Sequence, residues 1–311
     1  MARSVLTADQ FSKEQLVHLL DLSSRIEKAL GRRRMLPILN EYILATLFFE
    51  PSTRTRLSFE SAMHRLGGRV ITSVGMQFSS LSKGETLYDT LKMVESYADI
   101  CVIRHPMEGA SQIAAKNISI PVINGGDGAS QHPTQGILDL YTIHKYKKLM
   151  TDKIVIAFVG DIKYGRTIHS LIQYMSHFSG EFIFISPEEL RLPEKYRKYL
   201  NEKRIPYTET EDINYLKDAD VGYITRVQEE RFLDHKEYEK FKDFYVVNSE
   251  MLAKCRSDII IMHPLPRLSE ISTDIDDKPQ AKFFDQARNG LYVRMSLLLD
   301  LLGAPLGELD K

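Results

Sequence analysis

The chain has 311 residues, a formal net charge of -1 and 43% hydrophobic residues, which describes a soluble globular protein with room for two domains. Near-zero net charge indicates no basic face for nucleic acid, and the clusters at 144–148 and 236–242 mix Lys and His with Tyr, Glu and Phe as solvated helix faces do. No apolar run approaches the roughly 18 residues of a membrane span, no apolar leader is read at the start, and Cys101 and Cys255 supply neither a disulfide framework nor a cysteine-rich zinc site, so a cytoplasmic protein without a membrane partner is expected.

Ser12-Lys13-Glu14-Gln15 is a capping-box pattern opening a helix to about Leu30, with Leu16, Leu19 and Leu20 on one side. The nearly continuous apolar run 42–49 suits a parallel strand buried on both faces. Phe59, Ala62, Met63 and Leu66 then fall at helical spacing, so a helix starts at Ser52 or Thr53 and ends at Gly67-Gly68. Further strands are expected at 69–74, 100–103 and 120–123, with helices at 85–97, around Ser111, and at 134–148. A second alternation follows: a strand at 153–159, a helix at 166–178, and strands at 182–185, 221–224, 245–247 and 259–262. A last helix, 284–302, is apolar enough to pack back. The fold class is therefore α/β, with two domains, each a parallel sheet flanked by helices. The expected division is 1–150 with 284–302, and 151–283. No internal repeat or low-complexity segment interrupts it.

Ligands of such sheets gather at the carboxyl ends of strands. At Ser52-Thr53-Arg54-Thr55-Arg56 a helix begins with arginines where acids are usual. A bound anion would reverse that unfavourable sign, with backbone N–H groups, hydroxyls and a bidentate cation converging on a phosphate. An ordinary cap with two solvated arginines is the other reading. Arg104 and His105 follow the strand ending at Ile103, and 125–135 (GGDGASQHPTQ) follows the strand ending at Ile123. Pro133 suits the first helical position, which holds His132 at the cap and Gln135 in the first turn. The run His263-Pro264-Leu265-Pro266-Arg267 has prolines that fix an extended backbone and leave carbonyls free to accept hydrogen bonds. Residues 160–167 nearly match the nucleotide phosphate loop G-x-x-x-x-G-K-[ST]. Against that reading, Arg166 replaces the lysine and Asp161 puts a carboxylate where anions should bind. Arg166 is read instead as a fork for a carboxylate.

Together FEPSTRTRLSFE (49–60), KGET (83–86), HPTQ (132–135), GDIKYGRT (160–167), TRVQEER (225–231) and HPLPR (263–267) resemble the aspartate/ornithine carbamoyltransferase family over essentially the whole chain. The last motifs are those of its aspartate-using members; the S-M-G loop and H-C-L-P motif of the ornithine branch do not occur. The resemblance implies transfer of a carbamoyl group from carbamoyl phosphate to the α-amine of L-aspartate, in a cleft between a carbamoyl-phosphate domain and an aspartate domain. Ser52, Thr53, Arg54 and Thr55 would hold the phosphate. Arg104, His132 and Thr55 would surround the carbonyl oxygen, and Gln135 with the Leu265 and Pro266 carbonyls would hold the amide. Arg166, Arg226 and Gln228 would take the aspartate carboxylates. Ser80 and Lys83 would reach in from a neighbouring subunit of a homotrimer. Some family trimers work alone and others pair with zinc-bearing regulatory chains. No cofactor or catalytic metal is implied. Glu50 is read either as a helix-start carboxylate or as an ion-pair partner of Arg166 or Arg231.

Overall fold

The computed structural model describes residues 4–309 except 76–79, 129–130, 230–231 and 233–234. Arg231 therefore lies outside the described residues. The chain divides into two compact units, 1–141 with 288–311, and 142–287.

In the first unit, helix α1 (Lys13–Arg32) opens on the expected capping box: Ser12 accepts from the Gln15 N–H, and the Gln15 side chain accepts from the Ser12 N–H. Strand β1 (Ile43–Phe48), α2 (Thr53–Arg65), β2 (Arg69–Val74), α3 (Leu87–Glu95), β3 (Ile100–His105), α4 (Ala110–Asn117), β4 (Val122–Asp127) and α5 (Pro133–Tyr146) follow. The four strands form one parallel sheet in the order β2-β1-β3-β4. Strand β1 is central and buried, as its apolar run requires, whereas β2 is an edge strand with Ile71 and Val74 exposed. Strand β4 continues beyond Ile123 through Asn124, Gly125 and Gly126 to Asp127, so it is longer than its apolar residues indicate.

The second unit repeats the principle: β5 (Ile154–Val159), α6 (Arg166–Met175), β6 (Gly180–Ile185), α7 (Glu194–Lys203), β7 (Tyr207–Thr210), β8 (Val221–Ile224), α8 (His235–Phe241), α9 (Ser249–Lys254), β9 (Ile260–Met262) and the start of α10 (Phe283–Leu301). Its parallel sheet has the order β7-β6-β5-β8-β9. The ring of Phe158 on β5 meets Phe182, Phe184 and Tyr223, all fully buried. Burying each such side chain contributes about 1.5–3 kcal/mol. Two differences from expectation stand out. The run 245–247 is not a strand; it makes one parallel bridge, Val247 to Ile271, because its hydrogen bonds go to the loop at 270–272. Strand β7 was not expected, since Tyr207-Thr208-Glu209-Thr210 is a polar edge segment without an apolar run. No helix among the described residues is long and apolar enough to cross a membrane.

Candidate active site

In each sheet the chain reverses direction of travel once. In the first unit this occurs between β1 and β3, and in the second between β5 and β8. The loops leaving those strands diverge there and open a crevice at their carboxyl ends.

At the β1–β3 reversal, Ser52 caps α2 with an extended backbone, yet its hydroxyl makes no capping bond and the first turn holds no acid. The helix start thus keeps its N–H groups and positive end available for an anion. The two arginines part company. Arg54 is exposed on the first turn, while Arg56 turns to Glu60 one turn on, 3.7 Å away. Glu60 also accepts from the hydroxyls of Thr46 and Thr72, so Arg56 belongs to a brace between α2 and the sheet.

Register places Arg104 opposite Phe48, just before the Ser52 turn. Its buried guanidinium lies 3.5 Å from the Glu50 carboxylate and donates to the Gly125 carbonyl at 3.2 Å. Burial pushes Arg104 below the usual arginine value; Glu50 opposes this, and nearby Arg54 adds to it. Two cations this close favour an anion between them. Glu50 is thus an ion-pair partner of Arg104.

His132 is buried and immediately precedes α5, where its carbonyl accepts from the N–H groups of Gln135 and Gly136. Its Nε2 lies 3.4 Å from the hydroxyl of buried Thr55. Gln135 donates its amide N–H to Asp139 at 2.9 Å. A carboxylate only accepts, so this bond turns the Gln135 carbonyl oxygen outward as an acceptor. Asp139 also faces Arg294 of α10, which burial pushes down to about 10 and which donates to Ser58 on α2 at 2.9 Å. Asp139 and Arg294 were not expected in this setting; the i, i+4 spacing of Gln135 and Asp139 is the signal that could have found the first.

The second unit gathers another set. Gly160 has φ +110°, and a Cβ there would lie 2.2 Å from the Thr225 carbonyl, so the loops after β5 and β8 touch backbone to backbone. Asp161, wholly buried, accepts from the Tyr164 N–H at 2.9 Å and the Gln228 N–H at 3.4 Å. Burial raises its carboxyl to about 6 against the pull of those bonds and of Lys163 and Arg226. The Gln228 side chain in turn donates to the Tyr164 carbonyl at 3.0 Å. This brace holds half-buried Arg166, first residue of α6, and half-buried Arg226 on adjacent loops. It also answers the nucleotide reading: Asp161 already occupies the amides of Tyr164 and Gln228, and its carboxylate repels phosphate.

Past β9, the carbonyls of Leu265 and Pro266 accept no hydrogen bond among the described residues, while Leu265 has φ +59°. Lys83 is exposed on the short turn Ser80–Lys83 and makes no hydrogen bond or ion pair with the described residues of its own chain. The structure therefore groups Ser52, Thr53, Arg54, Thr55, Arg104, His132 and Gln135 in one unit, and Arg166, Arg226, Gln228, Leu265 and Pro266 in the other. Lys83 joins neither group by a bond among the described residues, and the Ser80 side chain lies outside the described residues.

Residues 3–145 match the family model described as aspartate/ornithine carbamoyltransferase, carbamoyl-P binding domain, and residues 152–301 match the Asp/Orn binding domain of the same family. The chain is 56% identical over 301 residues to the aspartate carbamoyltransferase catalytic subunit of Leptospira biflexa, covering 97% of each. Among solved structures it is similar to the catalytic subunit of M. jannaschii aspartate transcarbamoylase, with 48% identity, TM-score 0.90, and 96% and 98% of the two chains covered. It is also similar to the Trypanosoma cruzi aspartate transcarbamoylase in complex with carbamoyl phosphate and aspartate, with 35% identity, TM-score 0.89, and 96% of each chain covered.

Proposed function

The chain belongs to the aspartate/ornithine carbamoyltransferase family, and from that premise we propose that it transfers the carbamoyl group of carbamoyl phosphate to the α-amine of L-aspartate. The products are N-carbamoyl-L-aspartate and phosphate, a step of pyrimidine biosynthesis. The observation that carries this reading is the acid-free helix start at Ser52, with Arg54, buried Arg104 and the Thr55–His132 contact beside it.

In this reading Ser52, Thr53, Arg54 and Thr55 bind the phosphate. Arg104, His132 and Thr55 face the carbonyl oxygen, and Gln135 with the Leu265 and Pro266 carbonyls accept from the carbamoyl NH2. Arg166, Arg226 and Gln228 bind the two carboxylates of aspartate. The amine nitrogen attacks the carbamoyl carbon, the carbonyl oxygen gains negative charge, and the bond to the phosphate oxygen then breaks. The departing phosphate takes the proton that the amine loses. Preorganised donors on the charged oxygen contribute about 3 kcal/mol each, and holding two reactants in register can supply about 7 kcal/mol or more. Both substrates are anions, so fixed arginines also cancel the repulsion between them. Residues 1–150 with 284–302 serve carbamoyl phosphate, and 151–283 serve aspartate.

The assembly we propose is a cytoplasmic homotrimer in which Ser80 and Lys83 serve a neighbour's site; exposed, unbonded Lys83 suits that role. The purified chain, supplied with carbamoyl phosphate and L-aspartate, should form N-carbamoyl-L-aspartate, with L-ornithine as the competing acceptor. Product from ornithine alone would overturn the assignment, and light scattering tests the trimer.

A further inference from the structure

Pro264-Leu265-Pro266 has a single backbone N–H, that of Leu265, because proline has none. That N–H donates to Nδ1 of His263 at 2.8 Å. Nδ1 is therefore the unprotonated nitrogen, and Nε2 carries the hydrogen, which it donates to Glu270 at 2.7 Å. The imidazole is almost fully buried, as is Glu270. Glu270 is fixed in turn: its carboxylate accepts from the Leu268 N–H at 3.1 Å, and its backbone carbonyl accepts from Val247 at 2.9 Å. The His263 N–H donates to Gln286 at 2.8 Å, which anchors the start of the loop to α10. Leu265 has φ +59°, a left-handed conformation that side chains other than glycine disfavour. Among the described residues, the polar contact holding it there is the bond to His263.

We propose that His263 is a positioning residue for the carbamoyl site, holding Leu265 in its left-handed conformation so that the Leu265 and Pro266 carbonyls face the substrate's NH2 group. This rests on the reading of those carbonyls as acceptors for the carbamoyl amide. Glu270 acts one step further out, fixing the imidazole tautomer from the Nε2 side. Burial pushes the His263 imidazole below its usual value, with Arg267 and Arg226 adding to this and Glu270 opposing it, so the neutral form is favoured.

The test compares two probes, phosphonoacetamide, which carries both an amide and a phosphonate, and inorganic phosphate, which lacks the amide. Asparagine places an oxygen where Nδ1 sits, whereas glutamine reaches the Nε2 position and leaves the Leu265 N–H without an acceptor. Calorimetry on the intact protein should show that His263→Gln and His263→Ala weaken phosphonoacetamide by about tenfold, the cost of about one misplaced hydrogen bond, with phosphate binding unchanged. His263→Asn should restore phosphonoacetamide binding. Equal weakening of both probes would make His263 a general structural residue and overturn the proposal. So would equal effects of Asn and Gln, a comparison that stands even if the Ala variant does not fold. Wild-type protein that bound neither probe would overturn the carbamoyl site itself, whereas wild-type binding with unaltered His263 variants would overturn only this role.

Discussion

Thr55 Oγ1 lies 3.4 Å from Nε2 of His132, and this contact joins the first turn of α2 to the residue before α5. The two helices leave different strands, β1 and β4, which are separated in the sheet by β3. Arg104, at the end of β3, sits between them. Three strand ends therefore deliver three donors to one small region, and neither helix alone could do so. The rigidity of the parallel ladder sets their spacing, and pre-set spacing is what lets donors act without reorganising as charge develops.

If His132 polarises the carbonyl oxygen, replacing it removes stabilisation that is strongest in the transition state. His132→Ala should lower kcat by about 10²- to 10³-fold, with phosphate affinity nearly unchanged. Thr55→Val, which keeps shape but removes the hydroxyl, should also lower kcat. Steady-state kinetics with phosphate as a product inhibitor separates the two effects, and an unaltered kcat in His132→Ala would rule out the polarising role.

Glu50 is the near counter-charge of buried Arg104. Glu50→Gln keeps the shape and removes the charge, which leaves the guanidinium less compensated. Stability should fall by about 1 kcal/mol, read as a lower thermal midpoint. Turnover should fall too, because the Arg104 side chain is no longer aimed. A variant with wild-type midpoint and kcat would show that the Gly125 carbonyl alone orients Arg104.

Much of this arrangement is legible in the sequence because its signals are local. Arginines in place of acids after a buried strand mark the Ser52 turn, and Pro133 marks the start of α5 with His132 before it. The S-T-R-T-R run alone did not separate Arg54 from Arg56, since the partner of Arg56 is settled by β2 packing beside β1, which brings Thr72 and Glu60 together. Likewise Asp161 counts in the sequence only as an argument against phosphate. Its positive role requires the 225–228 loop, more than sixty residues away along the chain. Strand β7 was hidden because an edge segment needs no apolar run, and 245–247 misled because a short apolar run can serve a loop.

Asp161 makes stability depend on pH. Its carboxyl is raised by burial to about 6 in the folded chain, from 3.8 as the ordinary value. Well below pH 3.8 it is neutral in both the folded and unfolded states and carries no penalty. As pH rises to about 6 and beyond, ionisation costs the folded state more than the unfolded one, by about 3 kcal/mol at the limit. Wild type should therefore lose stability relative to Asp161→Asn across this window. Asparagine has one acceptor oxygen for two N–H donors, so the variant should also bind aspartate less well. Thermal midpoints from pH 4 to 7, with the aspartate KM at pH 7, check both. A pH-independent difference between the two proteins would mean that Asp161 titrates normally.

Gly160 gives the sharpest test of the second unit because two separate demands fall on it. Its φ of +110° disfavours any side chain, and a Cβ would sit 2.2 Å from the Thr225 carbonyl, a backbone atom that cannot swing aside. The β5 and β8 loops must then separate, stretching the Asp161 bonds to Tyr164 and Gln228 that hold Arg166 and Arg226 on adjacent loops. Gly160→Ala should cost about 2–3 kcal/mol of stability and raise the aspartate KM well before it weakens phosphate binding, whose residues belong to the other unit. Denaturant melts and separate titrations of each ligand distinguish these effects. If phosphate affinity fell as far as aspartate affinity, the division of binding between the two sheets would have to be abandoned.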